Sequence, residues 1–300
     1  VTNQAKSYLY TAAAILLWST VATAFKLTLQ ETGYLQLLFI ASLASMLSLF
    51  LIIVIRRKYK LLFNQTKHDL LNSALLGLIN PTLYYLILFK AYSLLPAQEA
   101  QPLNWIWPIT LSLLSVPLLK QRLSSGTIIA LILGFSGVVI ISTKGSFAAM
   151  QLTNLVGDIL AVGSSVLWAF YWIFSLKDQR DPVVRLFYCF LFGSIYNLII
   201  VVLFSGFQPI SLKGLALASY VGMFEMGFTF VIWFKALSLA RDNASVGILA
   251  YVTPFISLIF IHYILGEKIL LSSIAGLALI VGGILIQTFS GNKQINLDQS

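Results

Sequence analysis

Long apolar segments of about 20 residues recur along this chain, separated by short polar breaks, and that pattern constrains the fold more than any other feature. A run of that length matches the hydrocarbon thickness of a bilayer when it is wound into a helix. Ten such spans can be read, at 8–29, 34–55, 70–92, 98–119, 125–143, 155–176, 184–205, 214–237, 244–265 and 270–289. The chain of 300 residues is 59% hydrophobic and only 10% charged, against about 25% charged in a soluble domain. Little length remains for a domain outside the membrane, so soluble enzymes and nucleic-acid binders are excluded. The expected fold is all-α, an integral membrane protein of ten transmembrane helices. The first run reads as a span rather than a cleaved leader, because it is long, holds Trp18 and Lys26, and is followed at once by a second span. Cys189 is the single cysteine, so no disulfide framework or thiolate metal site can form within one chain.

The excess of nineteen Lys and Arg over ten Asp and Glu reads as loop charge rather than as a nucleic-acid surface. With the N-terminus inside, fourteen basic residues fall on the inner side: Lys6, Arg56, Arg57, Lys58, Lys60, Lys67, Lys120, Arg122, Lys177, Arg180, Arg185, Lys235, Arg241 and Lys293. Five fall outside: Lys26, Lys90, Lys144, Lys213 and Lys268. Retention of Lys and Arg in the cytoplasm sets topology, so both termini are expected there.

The two halves echo each other. Phe89-Lys90-Ala91-Tyr92-Ser93-Leu94 returns as Phe234-Lys235-Ala236-Leu237-Ser238-Leu239. An aromatic-then-proline step follows each, Trp105-Ile106-Trp107-Pro108 and Tyr251-Val252-Thr253-Pro254. Gln121-Arg122 matches Glu267-Lys268, Gly137 matches Gly283, and Leu17-Trp18 matches Leu167-Trp168. Five helices per half turn the second copy over in the membrane, so the spacing predicts inverted repeats at 1–146 and 147–300. Secondary transporters use this plan and bind substrate near the midplane between the halves.

These features resemble the drug/metabolite transporter superfamily, in its EamA-type members. Leu16-Leu17-Trp18-Ser19-Thr20 followed by Lys26 is similar to that family's first-helix signature. Glu99, Asn104, Trp105, Ile106, Trp107 and Pro108 resemble the fourth-helix pattern of its aromatic amino-acid exporters, the YddG type. Pro102, Pro117 and Glu225 depart from that pattern. The resemblance implies export of small metabolites across a bacterial inner membrane, without a cofactor.

All six tryptophans fall in spans one, four, six and eight, with Trp18, Trp107 and Trp168 near mid-span. A buried indole N–H needs a partner, so these rings are expected to face protein or a wet cavity. The predicted cavity is ringed by spans 1, 3, 4, 6, 8 and 9. Expected substrate-binding residues are Trp18, Ser19, Tyr84, Asn104, Trp107, Trp168, Tyr171 and Tyr251. Single Ser, Thr and Asn side chains within spans also serve to bond helix to helix. Glu225 and Glu99 are expected in charge recognition or proton coupling, since intramembrane charge is functional by default. A salt bridge from Glu225 to a lysine is the structural alternative. Lys26 and Lys90 could gate the outer end or snorkel to the surface. Pro108 and Pro254, at matching places, are expected to bend their helices and serve as hinges. His262 reads as a packed, hydrogen-bonded histidine.

No HExxH, GxSxG or P-loop motif occurs, so neither an enzyme nor a metal site is expected. Gly134, Gly137, Gly276, Gly282 and Gly283 permit close helix contact, within a monomer or across a homodimer. The expected partners are a small-molecule substrate and the lipid bilayer. The leading reading is export, by alternating access, of an amphipathic metabolite such as an amino acid with an aromatic or large apolar side chain. Two alternatives stay open: an importer or exchanger of a charged metabolite such as a nucleoside derivative, and a membrane receptor or assembly subunit that transports nothing.

Overall fold

A computed structural model describes residues 2–119, 125–146, 153–175, 178–241 and 243–297. Lys120, Gln121, Arg122 and Lys177 lie outside the described residues. Among those described, ten helices are long and apolar enough to cross a membrane: α1 Asn3–Leu29, α2 Tyr34–Ile55, α3 Lys67–Leu94, α4 Ala97–Leu119, α5 Ser125–Ser142, α6 Leu155–Ser175, α7 Pro182–Phe204, α8 Leu212–Leu239, α9 Val246–Leu265 and α10 Leu271–Phe289.

Sequence chemistry marks the helix ends. Thr66 and Asp69 form a capping box at the start of α3, Asp181 accepts from the N–H groups of Val183 and Val184 in α7, and Ser211 accepts from Gly214 in α8. Each cap satisfies N–H groups that a helix start leaves free. Gly266, at φ 69°, ends α9 in the left-handed conformation that favours glycine.

The radial pattern is that of a protein in lipid. In α1, Ser7, Thr11 and Ser19 are fully buried, while Leu9 and Leu16 point outward. Buried hydroxyls bond back to their own helix (Thr11 to the Ser7 carbonyl) or across to another (Ser7 to the Ala236 carbonyl, 2.8 Å). Contacts pair the helices across the two halves. α1 packs on α8 and α9 as α6 packs on α3 and α4; α2 lies along α7, and α5 along α10.

Glycines set the closest approaches. A Cβ on Gly222 of α8 would stand 2.1 Å from the Ala41 carbonyl oxygen of α2, and one on Gly77 of α3 would stand 2.4 Å from that of Cys189 in α7. Both glycines lie twelve residues before their Phe-Lys pairs, Phe89-Lys90 and Phe234-Lys235. The α5–α10 contact uses Gly137 against the Gly276 carbonyl, 2.5 Å from a Cβ, and Gly283 against that of Ala130, at 3.0 Å. Gly134, Gly137, Gly276 and Gly283 therefore serve packing inside one chain, whereas Gly282 faces open space.

The near end of the bundle, where α1 starts, is tied by ion pairs between loops. Arg180, beyond α6, holds Asp178 at 2.5 Å and donates to Gln65 and to Ser73 of α3. Lys58, beyond α2, meets Asp181 at 2.5 Å. Burial works to raise the Asp178 carboxyl, but the hydrogen bonds and charge of Arg180 outweigh it and hold Asp178 below the usual carboxylate range. Asp181 is held down in the same way by Lys58 and by the α7 N–H groups.

Two outcomes follow for stability. Gly222→Leu and Gly77→Leu should each cost about 1–3 kcal/mol or more through overpacking, read as a lower melting temperature of the detergent-solubilised protein. The depressed Asp178 and Asp181 values stabilise the native state above the ordinary Asp range, and that contribution goes as pH falls through the native values. Melting temperature should therefore drop below about pH 4, and less steeply in an Asp178→Asn, Asp181→Asn double variant.

Candidate functional site

Four of the ten helices are interrupted, and the interruptions cluster around one cavity. In α3 the backbone widens into a π turn at Leu78–Leu83, where Asn80 leaves helical geometry (φ −141°, ψ 117°) ahead of Pro81. In α8 a π turn spans Val221–Gly227 and contains Glu225. Asn80 and Glu225 each stand nine residues before their Phe-Lys pair. In α4, Ala97–Asn104 and Trp107–Leu119 are separate helical pieces, and in α9 a 3₁₀ turn at Ala250–Val252 precedes Thr253–Leu265. Irregular backbone at membrane depth is tolerated where it faces protein or a water-filled cavity.

The prolines act differently from the expected interior bend. Pro108 and Pro254 lie in the first turn of the second piece of α4 and α9. Proline has no backbone N–H, and a donor at that first-turn position would lack a partner within the helix in any case, so the ring fits without straining it. The break precedes each proline.

The cavity has a volume of about 140 Å³ and is lined by residues of α1, α3, α4, α6, α8 and α9, the ring expected from the tryptophan distribution. All six tryptophans line it: Trp18, Trp105, Trp107, Trp168, Trp172 and Trp233. Trp18 and Trp168, the matching residues of the two halves, both pack on Phe230, at 5.7 and 5.9 Å between ring centroids. Trp168 also lies 4.7 Å from Tyr84 and 6.1 Å from Trp172. Offset and edge-on contacts of this kind give an aromatic box fixed geometry.

Two polar poles stand in that box, held by consecutive tyrosines just past the π turn of α3. Tyr84 donates to the Asn104 side-chain oxygen at 3.3 Å, and the Asn104 amide donates to Ser164 at 2.8 Å. Tyr85 donates to Glu225 Oε1 at 3.1 Å, and the Trp18 indole N–H donates to the Glu225 backbone carbonyl at 3.3 Å. Among the described residues Glu225 forms no ion pair with a lysine. Gln101 adds to the same wall a buried side-chain oxygen that has no partner among the described residues.

At the far end, where α1 turns into α2, the cavity is closed. Phe25 packs edge-on against Phe89 at 4.8 Å and Tyr92 at 5.1 Å. Lys26 donates to the carbonyls of Tyr92 and Leu95, at 2.9 and 3.0 Å, and Glu267 accepts from the N–H groups of Ala97 and Gln98. The pieces touching here join α1, α3, α4 and the turn after α9.

The EamA-like transporter family matches residues 5–143 and 155–289, nearly the whole chain in two blocks. The chain belongs to the EamA-like transporter family. Among relatives, an uncharacterized transporter of Archaeoglobus fulgidus is 27% identical over 94% of this chain and 97% of its own length. The uncharacterized transporter YvbV of Bacillus subtilis is 27% identical, over 82% of this chain and 80% of its own length. The aromatic amino acid exporter YddG of Ancylobacter novellus is 24% identical, over 70% and 73% respectively. A protein of known crystal structure shares the fold with a TM-score of 0.66, at 24% identity, covering 94% of this chain and 97% of its own.

Within this EamA-like chain, Trp18, Tyr84, Asn104, Trp107, Trp168 and Glu225 come together on the cavity wall. Ser19, Tyr171 and Tyr251 do not. Ser19 is fully buried and donates to the Ile15 and Thr253 carbonyls, bonding α1 to α9. Tyr171 is buried in the hydrophobic core, and Tyr251 packs against that core from outside the cavity. Glu99 is buried at the far end, away from the cavity. Of the expected gate pair, Lys26 sits at the far-end closure, whereas Lys90 lies 5.0 Å over the Tyr34 ring of α2. His262 is exposed and bonds the Glu267 carbonyl instead of packing inside. Sequence reasoning missed Tyr85, Gln101 and Tyr92. Tyr85 could have been found as the neighbour of Tyr84 once the π turn was known, since that turn decides where both side chains point.

Removing the hydroxyl in Tyr85→Phe leaves the Glu225 carboxyl short of one hydrogen bond. A double-mutant cycle of Tyr85→Phe with Glu225→Gln, read by thermal unfolding, should give a coupling of about 1–3 kcal/mol.

Proposed function

We propose that this transporter exports small amphipathic amino acids with an aromatic or large apolar side chain, by alternating access through the central cavity. The observation that carries the reading is the gathering of all six tryptophans around one small cavity that also holds one carboxyl. A space of about 140 Å³ is close to the roughly 150 Å³ that accepts one benzene ring, so a single-ring side chain fits the box without rearrangement. Glu225 meets the α-ammonium group. Asn104 and Gln101, just before the start of the second piece of α4, meet the α-carboxylate, because a half-helix N-terminus favours an anion. The name of the Ancylobacter relative, an aromatic amino acid exporter, supports the same cargo.

The two halves, 1–146 and 147–300, act as inverted repeats that rock about this site. The paired contacts of α1 with α8 and α9, and of α6 with α3 and α4, support that motion. The protein works as a monomer, in keeping with the use of Gly134, Gly137, Gly276 and Gly283 inside the chain, and carries out no bond chemistry. Its home is a bacterial plasma membrane with both termini in the cytoplasm, as the distribution of Lys and Arg favours.

Counterflow in proteoliposomes tests the proposal. With unlabelled phenylalanine inside and labelled phenylalanine outside, transient accumulation should exceed that in protein-free vesicles, and unlabelled tryptophan should compete it away. Trp107→Ala and Glu225→Gln should each lower it about tenfold or more, a loss of about 1.4 kcal/mol in binding, while remaining folded. A flat trace from folded protein would remove this cargo, and unchanged flux in both variants would remove the site.

A further inference from the structure

A second cluster of ionisable side chains lies apart from the cavity, at the far end between α4, α5 and α6. Glu99, in the first turn of α4, is 1% exposed, and Asp158, in the first turn of α6, is 5% exposed. Gly157 packs directly on Leu94 and Leu95, which brings the start of α6 against the start of α4. The two carboxyl groups lie within electrostatic reach of each other. Thr153 donates to Glu99 Oε1 at 3.1 Å, but Glu99 Oε2 and both oxygens of Asp158 are buried without a well-formed hydrogen bond among the described residues. The Ser142 hydroxyl, at the end of α5, is 8% exposed and faces Asp158 closely enough to act on its carboxyl, although among the described residues no hydrogen bond of good geometry forms between them.

Among the described residues neither carboxyl forms an ion pair. The charged groups near Glu99 are Asp158, Lys144 beyond α5 and Glu267 beyond α9. Lys144 is exposed and is the one basic residue in the sequence between α5 and α6. An isolated buried carboxylate is strongly disfavoured, and two side by side are worse. Among the described residues these unmet oxygens come from three helices, as two carboxyl groups and one serine hydroxyl, with no nitrogen ligand beside them. Such an all-oxygen surround suits a small hard cation.

We propose that Glu99 and Asp158, with Ser142, hold one monovalent cation, a proton or a sodium ion, as the coupling ion of transport. The site rests on the reading of the chain as a carrier but not on its cargo. Glu99 opens the same helical piece that carries Gln101 and Asn104 to the cavity wall. Binding at one end of Ala97–Asn104 and substrate contact at the other thus act on a single short rigid element.

Thermal unfolding of the purified full chain tests the site without any substrate. Sodium chloride is compared with N-methylglucamine chloride at equal ionic strength, and each series is run from mildly acidic to mildly alkaline buffer. Either added sodium or added protons should raise the melting temperature of the parent protein. Glu99→Gln and Asp158→Asn should each abolish that rise, and Ser142→Ala should reduce it. The Glu99→Gln, Asp158→Asn double variant has no charge left to neutralise, so it should melt at or above the cation-free parent. A sodium-specific rise identifies sodium, and a rise with acid alone identifies the proton. A melting temperature indifferent to both ions, or a rise that survives Glu99→Gln and Asp158→Asn, overturns the proposal. Because no transport is read, that result would leave the counterflow test of the cargo untouched.

Discussion

The scarcity of water in the bilayer interior is the constraint on which the rest of this structure depends. Each backbone N–H and C=O must find a partner within the protein, so a helix may break only where protein or trapped water can take over. The chain breaks four helices, α3, α4, α8 and α9, and all four contribute residues to the cavity. α2, α5 and α7, which contribute no wall residue, run as unbroken α-helices. Departures from regular geometry are therefore concentrated where a small solute can be held.

Within that frame the two halves are near-equivalent in packing but not in charge. Gly77 and Gly222 make matching close approaches, and Trp18 and Trp168 face each other across Phe230. Asn80 and Glu225 occupy the same place in widened turns of α3 and α8, yet only the second half supplies a carboxyl. Asn80 is 1% exposed and turns away into the protein, whereas Glu225 reaches the cavity. An approximately symmetric cage thus acquires an acidic side, the feature that lets it orient a solute with a positive and a negative end.

Much of this architecture was legible from residue order. Ten spans, the six-helix ring and the grouping of the tryptophans follow from hydropathy and from where Trp occurs, because lipid demands long apolar runs and a mid-membrane indole demands a partner. Ser19 and Tyr171 show the limit of the same reasoning. Each sits in a span at a depth suited to the cavity, but rotation about the helix axis carries Ser19 toward the Thr253 carbonyl and Tyr171 into the core. Hydropathy fixes depth far better than azimuth in a helix whose lipid face and protein face are both largely apolar.

By itself the sequence determined the class of molecule: a ten-helix membrane protein with an aromatic, sparsely charged interior. Those properties are written in composition and spacing, and few folds satisfy them in a bilayer. Tertiary structure alone decided which polar groups meet. Tyr85 reaches Glu225 across 140 positions of sequence, and Asn104 reaches Ser164 across 60. Thr153 closes on Glu99, placing the starts of α4 and α6 together. These pairings depend on the π turn of α3, the break in α4 and the glycine contacts that set helix separation. Each is a product of several helices packing at once, so no local run of residues specifies it.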